Sequence, residues 1–222
     1  MGYPPVMMLF LGIVLGFLQI TATQPEKNLN AIITGVDRTF AQMTDFEADF
    51  VQVFEDSLNR RYQESGHLYL KRPRKMRWEI QTPEGKLLIS DGKAVFLYVP
   101  ADRQVTKDVI SDAIADRMPL MFLVGRSDLR KEFDQIVLLN TKPFVPGTRV
   151  MRMFPRRKTD LKEIVMEVDP GNYHVRRLLL AHADGSRSEF LFTNISLNKG
   201  LRDALFDFKI PSGVEVLTGI GQ

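Results

Sequence analysis

Apolar residues recur along this chain in two rhythms. Leu29, Ile32, Ile33, Val36 and Phe40 fall three or four apart, so they form one stripe on a helix, and Pro25 suits that helix's first turn. The rhythm then shortens to two. Phe46, Ala48, Phe50, Gln52 and Phe54 alternate with Glu47, Asp49, Val51 and Val53, which predicts a strand, and the polar run 56–61 predicts a loop. The stretch 66–106 follows. Gly66–Arg72 and Met76–Gln81 read as strands broken at Pro73, and Lys86–Ser90 returns as Lys93–Val99 across Asp91-Gly92. A two-residue turn there pairs Ile89 with Ala94 and Leu87 with Phe96, which puts these four on one face.

Further on, Ser111–Gly125 reads as helical. Its run Met118-Pro119-Leu120-Met121-Phe122-Leu123-Val124 is too apolar for a surface helix, so it should be buried or face a cavity. Ser127-Asp128 caps a short helix ending near Phe133. The second half predicts an antiparallel meander: Gln135–Leu139, Val150–Phe154, Glu163–Val168, His174–Ala181, Ser188–Ser196 and Phe206–Ile210, with turns at Asp169-Pro170-Gly171-Asn172 and Asp184-Gly185. About ten strands and few helices make the fold mainly β with helices (α+β). A sheet of that size must curl or close to protect its edges.

Composition narrows the function. The 222 residues suit one domain, and 44% hydrophobic with 26% charged residues is ordinary for a globular chain of net charge +3. The first 22 residues hold no Asp, Glu, Lys or Arg, and Val6–Ile20 is almost purely apolar. That length fits a signal-peptide core better than a membrane span. We therefore divide the chain into a signal segment, 1–22, cleaved near Ala22, and a single domain, 23–222. There is no cysteine. In an exported protein this excludes disulfides, thiol chemistry and an N-terminal lipidated cysteine.

The residues LKRPRKMRWE, then LLISDGKAVFLYVPADRQV, resemble the outer-membrane lipoprotein carrier family of the LolA type. The resemblance rests on a strand ending Lys71-Arg72-Pro73, the nearby Arg77-Trp78-Glu79, the Ser90-Asp91-Gly92-Lys93 hairpin, Tyr98-Val99-Pro100 and Gln104-Val105. Weaker correspondence runs from about Phe40 to Val216, including Met118-Pro119-Leu120 and Phe206-Asp207-Phe208-Lys209-Ile210-Pro211. The resemblance implies a strongly curved, incompletely closed antiparallel β-barrel under a helical lid, with an apolar cavity between them. It implies a monomeric periplasmic chaperone without cofactor or enzymatic activity. Its partners would be acylated lipoproteins as cargo, an inner-membrane ABC transporter that releases them, and an outer-membrane acceptor. It also implies that the arginine of the Lys-Arg-Pro motif, Arg72, fastens the lid when no cargo is bound.

From the residues alone, Arg72 shares a face with Leu68 and Leu70, and two readings stay open. Its guanidinium either snorkels to water at the strand end or finds acceptors at the container's mouth. Face parity and the apolar helix nominate Phe50, Leu70, Met76, Trp78, Ile89 and Phe96 from the sheet, and Leu120, Met121 and Phe122 from the helix, as the acyl-chain lining. Either a cavity or a plain core explains such residues. No catalytic constellation, phosphate-cradling loop or metal-ligand spacing stands out; His67, His174 and His182 are scattered. Lys71 to Trp78 holds five positive charges in eight residues beside a tryptophan, a pattern that could bind single-stranded nucleic acid. A balance of only +3 and an export signal argue instead for a solvated rim or a face that meets acidic membranes or proteins. A lipocalin-like binder of a small apolar ligand and a lipoprotein-sensing regulator of the same fold are the competing readings. Export and cleavage predict that protein recovered from periplasm has an intact mass lacking about the first 22 residues; full-length chain in the membrane fraction would contradict this.

Overall fold

A computed structural model describes residues 24–110, 128–157 and 160–219. The signal segment and the apolar run holding Leu120, Met121 and Phe122 lie outside the described residues. Helix α1 (Gln24–Gln42) is followed by strands β1 (Asp45–Glu55), β2 (Arg61–Lys71), β3 (Lys75–Thr82), β4 (Lys86–Asp91), β5 (Ala94–Val99) and β6 (Gln104–Val109). After a one-turn helix (Leu129–Glu132) come β7 (Phe133–Leu139), β8 (Arg149–Pro155), β9 (Leu161–Val168), β10 (Val175–His182) and β11 (Arg187–Leu197). A 3-10 turn (Asp203–Phe206) and β12 (Glu215–Thr218) complete the described chain.

All twelve strands join one open, curved sheet in the order β12-β6-β5-β4-β3-β2-β1-β11-β10-β9-β8-β7. Two meanders meet where β1 pairs with β11. Every pairing is antiparallel except β12 on β6. Close packing of backbone helps the sheet bend at Gly66, where a Cβ would lie 1.8 Å from the Glu79 carbonyl oxygen. The ladder shifts register between Ser65 and Gly66 at the same point.

Alternation decides which side chains fill the concave face. Leu68 pairs with Trp78 and Leu70 with Met76, while β8 to β11 contribute Met151, Met153, Met166, Phe190 and Phe192, all buried. α1 lies over this face and buries Ile32, Ile33, Val36 and Phe40, the stripe read from its spacing.

The convex face carries its own cover. Lys71 and Lys75 both reach Asp203, at 2.6 and 3.0 Å, and Arg77 Nη1 donates to the Leu205 carbonyl at 3.2 Å. Phe206 is fully buried, and the Phe208 ring sits 5.4 Å from Phe96 and 5.8 Å from Tyr98. The expected strand Phe206–Ile210 is therefore absent. This segment presses side chains onto the sheet instead of pairing with it, and the last described strand is Glu215–Thr218. The Asp91-Gly92 hairpin also differs in register. Ile89 faces Phe96 and Ser90 faces Val95, because the Asp91 carboxylate accepts the amides of both Lys93 and Ala94 and widens the loop. The shift is two residues, so face parity survives.

On the other half of the convex face, Glu167 is buried. It accepts from the amides of Phe144 and Val145 at 3.0 and 2.8 Å, from the Thr148 hydroxyl at 3.1 Å and from Arg177 at 2.9 Å. It pins the connection between β7 and β8 to the sheet. Burial pushes this carboxyl up, but those four donors outweigh burial and hold it below its ordinary range. A carboxyl lowered by folding adds stability that is full above its unfolded value of about 4.3 and is lost as pH falls through the folded value. Denaturant titrations across that acid window should show stability falling, and Glu167→Gln should flatten the fall. Glu167→Ala, which leaves the Phe144 and Val145 amides without their acceptor and Arg177 with only Glu189 as an ion-pair partner, should cost about 3–5 kcal/mol at neutral pH.

Candidate functional site

The site is built where α1 meets the concave wall. The wall is apolar because period-two alternation turns one side chain in two toward it, and α1 covers it because its stripe must be buried somewhere. Phe50 meets Trp78 edge-on at 5.3 Å, and Trp78 lies 5.7 Å from Phe190. Phe46 meets Phe192 edge-on at 6.2 Å. Met43, Met76, Met151, Met153 and Met166 fill the gaps, and such unbranched, polarisable side chains repack at little cost. Near the C-terminal end of α1 a cleft of about 20 Å³ remains between Thr39 and Phe40 of the helix, Met43 just after it, and Phe46, Leu70, Tyr173, Val175 and Phe192 beneath. That is room for about one water molecule. Pockets that hold small ligands run from about 300 Å³, so a sizeable apolar guest enters this cleft only if α1 lifts from the wall beside it.

Beyond the burial of its stripe, polar contacts fix α1 at particular points. Arg72 Nη2 donates to the Phe40 carbonyl at 2.6 Å, within the helix's last turn, where carbonyls lack helical partners. A cation there also meets the negative end of the helix dipole. Arg72 Nε is buried without an acceptor among the described residues. The Asn198 side chain reaches the same end of α1, accepting from the Thr44 amide at 2.7 Å and donating to the Gln42 carbonyl at 3.3 Å. Farther up the helix, Asp37 accepts from the Leu129 amide at 2.9 Å, and Asn30 accepts from Arg130. Burial raises the Asp37 carboxyl, and Asp128 nearby adds to the shift; the Leu129 amide opposes it. Gly35 admits the Tyr173 ring so closely that a Cβ would lie 2.3 Å from it.

The sequence-derived lining divides by face. Phe50, Leu70, Met76 and Trp78 lie together on the concave wall. Ile89 and Phe96 do not. Trp78 pairs with Leu88 and Arg77 with Ile89, so Ile89 and its partner Phe96 sit on the convex face with Arg77, under Phe208. Both are buried by the strap that ends in β12, and from the sequence alone that burial looks the same as burial against a lid. The nomination of Leu120, Met121 and Phe122 falls outside the described residues. Sequence reading missed Met151, Met153 and Met166, although their spacing of two within predicted strands carried the signal. It also missed Asn198, which had no pattern to reveal it.

The basic run is spread over both faces. Lys71, Lys75 and Arg77 hold the strap, while Trp78 is buried at 4% exposure against Phe50 and Phe190. No face presents the tryptophan and the cations together, as base stacking would need. Among the described residues no cluster of His, Asp or Glu could hold a metal ion.

Comparison with known proteins agrees with this architecture. The family profile described as outer membrane lipoprotein carrier protein LolA matches residues 41–209. A relative from Psychromonas ingrahamii named outer-membrane lipoprotein carrier protein is 33% identical, covering 68% of this chain and 69% of that protein. One of the same name from Azotobacter vinelandii is 31% identical, covering 77% and 80%. Among solved structures, an uncharacterized conserved protein from Thermus thermophilus superposes with a TM-score of 0.52 at 12% identity, covering 87% of this chain and 98% of that one. That likeness concerns the fold.

The division by face predicts different consequences for two truncations. Phe96→Ala should destabilise by about 3–5 kcal/mol through the convex face yet leave the affinity of the folded protein for an apolar fluorescent probe unchanged. Trp78→Ala should change that affinity. Probe titration beside denaturant unfolding separates the two effects, and equal losses of affinity would contradict the assignment.

Proposed function

The chain belongs to the LolA family of outer-membrane lipoprotein carriers, and from that premise we propose that it shelters lipoprotein acyl chains between α1 and the concave wall and carries them across the periplasm. It is a binding and transport protein. The need for such a carrier follows from transfer energetics. About forty acyl methylenes at about 0.8 kcal/mol each put full exposure at on the order of 30 kcal/mol, which excludes free diffusion through water. Phe50, Leu70, Met76 and Trp78, with the methionines around them, form the receiving wall; Leu120, Met121 and Phe122 complete it from the segment after β6. The cargo is received from an inner-membrane ABC transporter and handed to an outer-membrane acceptor, with residues 1–22 serving as the cleaved export signal.

The observation that carries the mechanism is the Arg72–Phe40 hydrogen bond. A carrier must bind its cargo and also give it up. Here α1 already satisfies the wall, and Arg72 fixes the last turn of that helix. An entering acyl chain must displace both the helix face and this charge-assisted bond, worth about 1.5–3 kcal/mol. Net affinity for cargo falls by that amount, and closure of the empty form favours release. Guanidinium geometry matters here, because Nη2 reaches the carbonyl while Nε stays buried beside it.

Arg72→Leu should therefore fold and load lipoprotein but transfer it poorly to the acceptor, about tenfold or more below wild type, and Arg72→Lys should recover only part of the difference. Loading followed by transfer, with both variants beside wild type, tests this. Normal transfer by Arg72→Leu would show that the bond has no part in release.

A further inference from the structure

At the end of the sheet opposite the Arg72–Phe40 contact, the β1–β2 hairpin closes in a turn over Asp56–Arg60 whose construction exceeds what a connection needs. Asp56 accepts from the amides of Leu58 and Arg60, both at 2.9 Å, and pairs with Arg60 Nε at 2.6 Å. The Asp56 amide donates to the Arg60 carbonyl at 3.0 Å, and the Asn59 amide to the Asp56 carbonyl at 2.9 Å. Asn59 takes the left-handed conformation, φ 62°, that the turn requires. The apex side chain of this rigid polar frame is Leu58, 71% exposed.

A single exposed leucine is ordinary. Its surroundings are what give this one meaning. Tyr62, 51% exposed, stacks on Phe54 at 6.3 Å just behind the apex. The acids of the tip are recessed and its cations project: the Arg60 side chain is 63% exposed against 15% for Asp56, and Arg61 is 64% against 29% for Glu55. Exposed Arg187 stands opposite Glu55 in the register. The outermost groups are therefore leucine methyls and guanidiniums, with an aromatic ring at the depth below them.

We propose that this hairpin tip docks on the surface of a bilayer containing anionic lipid, with Leu58 inserted among the headgroups and the arginines on their phosphates. Leucine, an amphipathic ring and snorkelling arginines are the residue types that suit the membrane–water boundary. A protein partner fits less well. One leucine at a tight turn offers far less than the ~1,200 Å² of a stable protein interface, whereas lipid closes around a point. The surface is separate from the acyl wall and works on the empty protein, so its test needs no lipoprotein and fails or succeeds independently of the carrier reading.

Because the chain has no cysteine, Leu58→Cys carries a single environment-sensitive NBD label on the otherwise intact protein, and Lys142→Cys, exposed at the opposite rim, is the control. With vesicles of phosphatidylcholine and phosphatidylglycerol, the Leu58 label should brighten and shift to the blue while the Lys142 label stays unchanged. The effect should weaken in high salt and be small on phosphatidylcholine alone. In co-sedimentation, unlabelled Leu58→Asp should bind the mixed vesicles about tenfold less than wild type, the size expected for one leucine, with an unchanged circular dichroism spectrum. No response from the Leu58 label, an equal response on uncharged vesicles, or full binding by Leu58→Asp would each overturn the proposal.

Discussion

Everything in this molecule answers to one constraint: a broad apolar concave wall must be kept from water without being permanently filled. The sheet's alternation creates the wall, and its length makes the exposure costly. α1 resolves the conflict because a helix with a narrow apolar stripe covers the wall as one movable body. A core built from interlocked strands could not be vacated; a helix docked on methionines and aromatic edges can. Beside the last turn of α1 the described residues leave a cleft of only about 20 Å³ between helix and wall.

Polar contacts add to the buried stripe in holding α1, which suits reversibility. Burial of Ile32, Ile33, Val36 and Phe40 supplies the larger attraction, but an acyl chain can replace that burial nearly in kind. Hydrogen bonds from Arg72 and Asn198 to the last turn have no counterpart in a hydrocarbon guest. On the proposed reading they bias the choice between helix and cargo without changing the wall. The β2–β3 turn serves both faces at once: Arg72 turns to α1, while Lys71 and Lys75 turn to Asp203 and hold the strap on the other side. Alternation along a strand allows neighbouring cations such separate duties.

How much of this could be read from the chain depends on whether local pattern or long-range pairing decides the outcome. The stripe of α1, the strand at Phe46–Phe54, the Asp128 cap and the shared face of Leu68, Leu70 and Arg72 are local, and all appear as expected. Ile89 and Phe96 are the instructive failure. Their own parity was right, but assigning them to the concave wall required the register between β3 and β4, which no local pattern states. The segment 203–208 failed for a related reason. Alternating Phe206 and Phe208 look like a strand, yet they pack across the sheet from a 3-10 turn, anchored by lysines distant in sequence. Asn198 at the end of α1 is a contact over 154 residues and left no local trace.

The central claim, that α1 closes the empty wall and yields to acyl cargo, is open to direct distance measurement. Spin labels at Arg38→Cys on the exposed side of α1 and Glu84→Cys in the β3–β4 turn would sit on the helix and the sheet of an otherwise cysteine-free chain. Pulsed electron–electron resonance should give one narrow distance population in the empty protein and a second, displaced population on loading with a triacylated lipoprotein. In Arg72→Leu the displaced population should appear without cargo. A distribution unchanged by loading would contradict the account, because cargo would then be held without moving the helix.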